Sequence, residues 1–432
     1  MANTRPNQEG FHRRLDAVQA ILRQYGLTSA QVTPVAYVEH CPFMFNNYIF
    51  KVDLAAPATP SSFPGTQPCT TPPPPAGVSS LVVRMSNPLA EGLNNANRVE
   101  NDVAASYLIR QSVARAGLAP VVPAVYAWAP NRFPDVVAGE AGFGWTLAEF
   151  KPGADLDAQF PALERGAVDA VLEQLADLVV AVQRAELPAG VGRFGALTID
   201  AQGAIVSGQM PLLKGGPWDT YADTWVAKLQ DRLAESDQSS LLKGWRETGI
   251  RERIDKYISA GGVQLILEPV DNNQKILNHG DLTLNNLLYD SDTQRITGLL
   301  DFDWAAVTHP CDEFLFGLWD IGGGIHERVG DLQPYVLSGD FGQQPDGLSE
   351  EDVRKWETAK AWDGALARRG AIRPSSIDGV DRIQALRGLE ELLCPFALAS
   401  EVMLGRISDA EKAAKKEEAG IKITDWLDRW AD

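Results

Sequence analysis

One stretch of this 432-residue chain constrains the rest: residues 275–307, KILNHGDLTLNNLLYDSDTQRITGLLDFDWAAV. It interrupts sequence that is otherwise mostly helical in period. Ile276 and Leu277 read as a short strand, and residues 286–289 and 296–300 as two more, joined by the polar turn Asp290-Ser291-Asp292-Thr293-Gln294. On this reading Asp281 falls in the loop after the first strand, Asn286 begins the second, and Asp301 sits where the third ends. Three oxygen-bearing side chains then converge at one rim of a small β structure.

A hard cation such as Mg²⁺ takes oxygen ligands, commonly one or two protein side chains with phosphate oxygens and water. Asn286 and Asp301 suit that role. Phosphoryl transfer also needs a carboxylate to orient or deprotonate the attacking hydroxyl, and Asp281 stands five residues before Asn286. The competing account is a polar loop with an Asx turn and a hairpin. The joint pattern, His-Gly-Asp-x-x-x-x-Asn and then an apolar strand ending Asp-Phe-Asp, is more specific than either half.

The remaining sequence divides into a β-rich third and a helical remainder. Phe11, Leu15, Val18 and Leu22 have helical spacing over residues 8–25, and strands are expected at 32–38, 47–54 and 80–85. Residues 55–79, with the run Pro72-Pro73-Pro74-Pro75, read as a flexible, solvated excursion. A helix over 98–110 and β-like pieces near 124–128 and 145–150 lead to Lys151-Pro152-Gly153, which marks a boundary. Beyond it, Val168, Val171, Leu172, Leu175, Leu178, Val179 and Val182 form the stripe of a core helix. Ser349 and Asp352 read as a helix cap, and an apolar helix from 383 to about 404 should kink at Pro395. Length well above about 250–300 residues favours two lobes with a site between them. The expected division is a β-rich lobe over residues 1–149 and a mostly helical lobe over 150–432.

At the residues of the opening segment the sequence resembles the aminoglycoside phosphotransferase and choline kinase-like family, small-molecule relatives of the protein kinases. Residues 194–208, FGALTIDAQGAIVSG, resemble its branch found in fungi. The resemblance implies an α+β, two-lobed protein kinase-like fold that transfers the γ-phosphoryl of ATP, with GTP open, to a hydroxyl of a small molecule. It makes Asp281 the catalytic carboxylate and Asn286 and Asp301 the Mg²⁺ ligands. It makes residues 43–48, including Phe43 and Asn47, the loop over the nucleotide phosphates. Arg84 becomes the basic residue that grips phosphate, and Asp102 the helical acid that steadies it. The backbone of Glu149, Phe150 and Lys151 becomes the adenine-holding linker. His279 is expected to be structural, and Asp312 to anchor the catalytic loop. Asp303 is expected either behind the metal ligands or in solvent.

Two departures from the family pattern stand out. Arg84 and Asp102 replace Lys and Glu, a longer base facing a shorter acid, so their spans compensate. The phosphate loop holds no glycine, although glycines let backbone N–H groups approach phosphates. These departures motivate a rival reading, a catalytically silent nucleotide-binding scaffold. A protein kinase is disfavoured because Asp301 runs almost directly into His309-Pro310-Cys311-Asp312, with no Ala-Pro-Glu segment.

The formal charge of −18 argues against nucleic-acid binding and gives a weak preference for a cationic or amine-bearing acceptor. Scattered cysteines, a polar N-terminus and the lack of a long apolar run point to a cytoplasmic protein that does not enter membranes. The sequence leaves its oligomeric state open.

Overall fold

A computed structural model describes residues 7–431 apart from 39–40, 66, 131–142 and 326–330. Helix α1 (Phe11–Gln24) buries Ala17, Val18, Ile21 and Leu22 along one face. It packs on a sheet made from β1 (Ser29–Val35), β2 (Asn47–Ala58) and β3 (Val78–Ser86), with helix α2 (Arg98–Arg115) preceding β4 (Val125–Ala129) and β5 (Trp145–Glu149). The five strands are antiparallel in the order β1-β2-β3-β5-β4. Tyr48, Phe50 and Val52 of β2 join Leu81, Val83 and Met85 of β3 in one apolar core with α1. The period of two that turns Val83 and Met85 into that core turns Arg84, between them, to the opposite face. The first strand lies earlier than the expected 32–38, because Ala36 has a φ of 53° and ends it.

The described residues of 55–79 are mostly exposed or half-buried, with Ala58, Phe63 and Pro73 buried, and they are tied to the sheet. Strand β2 continues to Ala58, β3 begins at Val78, and the segment between folds along the edge of β4. Gln67 imitates a neighbouring strand: its Nε2 donates to the Trp128 carbonyl at 2.7 Å, and its Oε1 accepts the Trp128 N–H at 3.1 Å. The Thr71 N–H reaches the Val125 carbonyl at 2.9 Å, the Trp128 indole donates to the Pro68 carbonyl at 3.0 Å, and Phe63 enters the sheet's core. An uncovered edge would present unpaired N–H and C=O groups, and this segment occupies them.

The rest of the chain is mainly helical around a second, larger core. It runs through β6 (Ala154–Asp155), α3 (Arg165–Gln183), the hairpin β7 (Ala196–Ile199) and β8 (Ile205–Gly208), and α4 (Tyr221–Gln238). Next come β9 (Ile276–Asn278), β10 (Leu287–Asp290), β11 (Arg295–Leu299) and β12 (Ala306–Thr308), then α5 (Glu350–Arg368), α6 (Val380–Leu393) and α7 (Asp409–Trp430). The apolar stripe of α3 is buried as its spacing predicts. Helix α2 packs Leu108, Ile109 and Val113 into the larger core, while its Val99 and Val103 form a small separate cluster with Val125 and Trp128 of β4.

The hairpin β10–β11 matches the sequence reading, with Leu287 opposite Leu299, and β9 gains a partner in β12. The Ser349 side chain accepts the Asp352 N–H at the start of α5, as expected of a cap. The helix expected to continue past Pro395 does not. Helix α6 stops at Leu393, and Pro395 starts a separate turn, Phe396–Ala399, because proline offers no N–H and clashes with the preceding turn. Among the described residues, no helix is long and apolar enough to cross a membrane.

Replacing Gln67 by Ala removes both hydrogen bonds to the β4 edge, and loss of about 1 kcal/mol per bond is the expected scale. Hydrogen exchange should then show faster exchange of the Trp128 amide. Unchanged protection would mean that Gln67 does not hold this edge.

Candidate active site

The loop between β9 and β10 is held from below by a carboxylate that sequence reading passed over. Glu313, buried in the short helix Asp312–Phe316, accepts the backbone N–H of His279 at 2.6 Å and that of Gly280 at 3.2 Å. Burial raises its carboxyl to about 7, against the pull of these N–H groups. The neighbouring Asp312, expected to anchor this loop, instead accepts the Tyr221 hydroxyl and the Thr308 hydroxyl, so it ties β12 to α4. Gly280 has a φ of 83°, and a Cβ there would approach the Trp304 carbonyl oxygen to 2.3 Å. The loop therefore requires glycine at this position.

His279 is fully buried, with Nε2 2.9 Å from the Leu300 carbonyl and Nδ1 3.3 Å from the Asp281 N–H. Those contacts fit the neutral ring with hydrogen on Nε2, and burial lowers its pKa to about 4. It is a strut of the loop. Asn286 ends the turn Leu284–Asn286, one residue ahead of β10. Its Nδ2 donates to the Asp281 carbonyl at 2.7 Å and to Asp281 Oδ2 at 3.0 Å, leaving its amide oxygen without a hydrogen bond among the described residues. Burial, then the negative charge of Asp301, raise the Asp281 carboxyl to about 7 even though the Asn286 amide favours the anion.

Asp301, with a φ of 61°, and Asp303 lie beyond β11. Arg84 reaches both across the interface: Nη2 is 2.8 Å from Asp301 Oδ1 and 2.9 Å from Asp303 Oδ1, while Nη1 is 2.7 Å from Asp102 on α2. The longer base and shorter acid thus meet as their spans suggest. Asp303 is only 2% exposed, which removes the solvent alternative. Its second cationic partner is Arg98, whose Nε and Nη2 lie 3.2 and 2.7 Å from the two carboxylate oxygens. Burial works against the Asp303 anion, but Arg84 and Arg98 hold its pKa down at about 2.

Arg98 is the second residue the sequence reading missed, although one signal was present. A cation at the start of a helix opposes the helix dipole, so a buried arginine opening α2 calls for an acid. Arg98 also donates to the Asn87 carbonyl at 3.0 Å, the Asn46 carbonyl at 2.7 Å and Asn47 Oδ1 at 3.1 Å. Asn47 in turn donates to Asp303 Oδ2 at 2.8 Å, so its side chain belongs to this network. The Phe43 carbonyl accepts from Asn7 Nδ2 at 2.8 Å, the Phe45 N–H donates to Asn7 Oδ1 at 2.8 Å, and the Phe45 carbonyl accepts from Asn87 at 2.8 Å. Asparagine amides and Arg98 thus shape the glycine-free loop.

The linker is similarly tied. The Glu149 N–H meets the Ala124 carbonyl at 2.8 Å, and the Glu149 carboxylate accepts from Lys151 Nζ at 2.8 Å. Lys151 is buried, and Lys51 lies 4.8 Å above the Phe150 ring.

The donor set fits a cation bound together with phosphate. Among the described residues, Asp301 Oδ2 and the Asn286 amide oxygen have no hydrogen-bond partner, and the Asp301 side chain is 38% exposed. Among the described residues no group of three or more His, Cys, Asp or Glu side chains is arranged to hold a metal. A hard cation at this place would be completed by oxygens of its ligand and water.

A family model described as "Phosphotransferase enzyme family" matches residues 77–335. Similar solved structures include a Ralstonia eutropha protein provisionally assigned as an aminoglycoside phosphotransferase, at 16% identity, 94% coverage of each chain and a TM-score of 0.46. An aminoglycoside phosphotransferase in complex with GDP and kanamycin is 14% identical, covering 96% of this chain and 99% of its own, with a TM-score of 0.43. Plasmodium vivax ethanolamine kinase is 10% identical, with coverage of 91% and 82% and a TM-score of 0.39. No curated protein matches the chain.

Arg98→Met should destabilise the protein by about 3–5 kcal/mol, because it leaves the buried Asp303 with one guanidinium fewer; denaturant midpoints measure this. A second expectation concerns pH. The folded-state pKa of Glu313 is raised, so its contribution to stability is full below about 4.5 and is lost as pH rises through about 7. Melting temperatures across that range should fall less in Glu313→Gln than in the parent protein, even though the variant starts from lower stability. Parallel profiles would contradict this.

Proposed function

The chain belongs to the phosphotransferase enzyme family, and we propose that it transfers the γ-phosphoryl group of ATP, or of GTP, to a hydroxyl of a small molecule. The observation that carries this reading is the grouping of three residues: Asn286 donates to the Asp281 carboxylate, Asp281 feels the charge of Asp301, and Asp301 meets Arg84. Asp281 orients the acceptor hydroxyl and takes its proton as the new oxygen–phosphorus bond forms and the bond from the γ-phosphorus to the departing nucleoside diphosphate breaks, a contribution of about 10²–10⁴ in rate. The Asn286 amide bond to Oδ2 fixes the carboxylate's direction. Asn286 and Asp301 hold Mg²⁺, which would neutralise charge on the phosphates when bound.

Arg84 holds the nucleotide phosphates, steadied by Asp102, and the loop containing Phe43 and Asn47 covers them. Adenine lies against the backbone of Glu149, Phe150 and Lys151. The apolar core of the sheet, drawn from residues before 150, supports a nucleotide-binding lobe over residues 1–149 and a catalytic lobe over 150–432, with α2 packing Leu108, Ile109 and Val113 into the larger core. The short path from Asp303 through β12 to the helix beginning at Asp312 leaves little chain for holding a peptide and supports a small acceptor. The free state of all four cysteines suits a reducing, cytoplasmic setting.

One observation favours the silent-scaffold reading: Arg84 already contacts Asp301 at 2.8 Å, in the place proposed for the metal. Nucleotide consumption with Mg²⁺ across hydroxylated metabolites separates the two. Turnover should fall at least about 10²-fold in Asp281→Asn while nucleotide still binds, and Asp301→Ala should lose Mg²⁺-dependent turnover. Full turnover in either variant would refute the residue roles. Nucleotide binding without consumption for any acceptor would favour the scaffold.

A further inference from the structure

A cavity of about 240 Å³ opens beside Gly280, the residue before Asp281, and extends between α4 and α6. Its wall contains Lys228, Arg232 and Arg387 together with Asp231, Asp312 and Glu390. The count of charges is balanced, but the count of hydrogen-bonding groups is not. Asp312 already accepts from the Tyr221 and Thr308 hydroxyls, and Glu390 accepts from Arg387 at 2.8 Å. Arg232 lies 3.4 Å from Asp231 and 2.6 Å from Glu235.

Lys228 differs from these groups. It is 8% exposed, and its ammonium makes no hydrogen bond among the described residues. Its electrostatic neighbours are Asp312 at 3.5 Å, Glu390, whose carboxyl its charge helps to hold low, and the rings of Trp225 and Phe316 at 4.4 and 5.5 Å. Nε of Arg387, whose guanidinium lies 4.5 Å over the same Phe316 ring, is buried without a hydrogen bond as well. Buried cationic donors in this condition are costly, and a group with two acceptor oxygens relieves them.

We propose that this cavity binds the phosphoryl acceptor and that the acceptor is a hydroxylated carboxylic acid, its carboxylate held by Lys228 and its hydroxyl directed past Gly280 toward Asp281. This rests on the phosphotransferase reading. The net charge of −18 attracts cations at long range, whereas the unsatisfied donors on the cavity wall select an anion at contact. Trp304 and Phe316, also on the wall, provide apolar surface for the carbon chain.

Matched ligands that differ in one group test the proposal: gluconate, gluconamide and glucamine, and the shorter series glycerate, glyceramide and 3-amino-1,2-propanediol. Calorimetric titration of the full chain should show at least one carboxylate binding about tenfold or more tightly than its amide and amine. Lys228→Met, which keeps the side chain's length, should abolish that margin and leave nucleotide affinity unchanged. Equal binding, preference for the amines, or no carboxylate binding in the parent protein overturns the proposal without requiring the variant to fold. Nucleotide consumption in the same series keeps the two readings distinct. Phosphorylation of amines or amides but not acids refutes the acceptor class alone. Carboxylate binding without consumption supports the cavity's selectivity and counts against phosphoryl transfer.

Discussion

Asp303 is the point on which the two halves of the molecule depend. It comes from the chain beyond β11, is nearly devoid of solvent, and lies between Arg84 of the sheet and Arg98 of α2. Neither arginine is free to choose another geometry: Arg84 also meets Asp102 and Asp301, and Arg98 also meets the carbonyls of Asn46 and Asn87. Moving the sheet relative to the helical part would strand buried charge, which is far costlier than breaking an exposed ion pair. The arrangement fixes the distance between the Arg84 guanidinium and the loop bearing Asp281 before any ligand arrives.

The loop is braced from the other side by a different device. Glu313 takes up the backbone N–H groups of His279 and Gly280, while His279 spans from the Asp281 amide to the Leu300 carbonyl. Asp281 and Asp301 are thereby attached to a common strut, although twenty residues separate them in sequence. The balance of charge is local, with two arginines meeting Asp102, Asp301 and Asp303.

Much of this site was legible because its residues carry chemistry at fixed spacings. His279, Gly280, Asp281, Asn286 and Asp301 lie within one short segment, and strand alternation alone turns Arg84 away from the core. Arg98 and Glu313 were hidden because their partners are remote in sequence: Asp303 is 205 residues from Arg98, and the His279 amide is 34 from Glu313. Local pattern gives no sign of such pairs beyond an ill-placed charge at the start of a helix. The same applies to Gln67, a polar residue in a proline-rich stretch whose role depends on the unpaired edge of β4. Helix α7 escaped notice because its buried positions, Ala419, Ile423, Trp426 and Leu427, form a narrow stripe within a strongly charged segment. Proline gave the opposite lesson: Pro395 was expected to bend a helix and instead separates two.

The asparagines around residues 43–47 have a thermodynamic consequence. A glycine-rich loop gains its fit by losing much of its freedom when a ligand arrives. Here Asn7, Asn87 and Arg98 already hold the Phe43, Phe45 and Asn46 carbonyls. The ordering is completed during folding, so encounter with a ligand need not include a separate search by this part of the chain. The corresponding cost falls on versatility, since a loop fixed by side-chain amides adjusts poorly to ligands of different size.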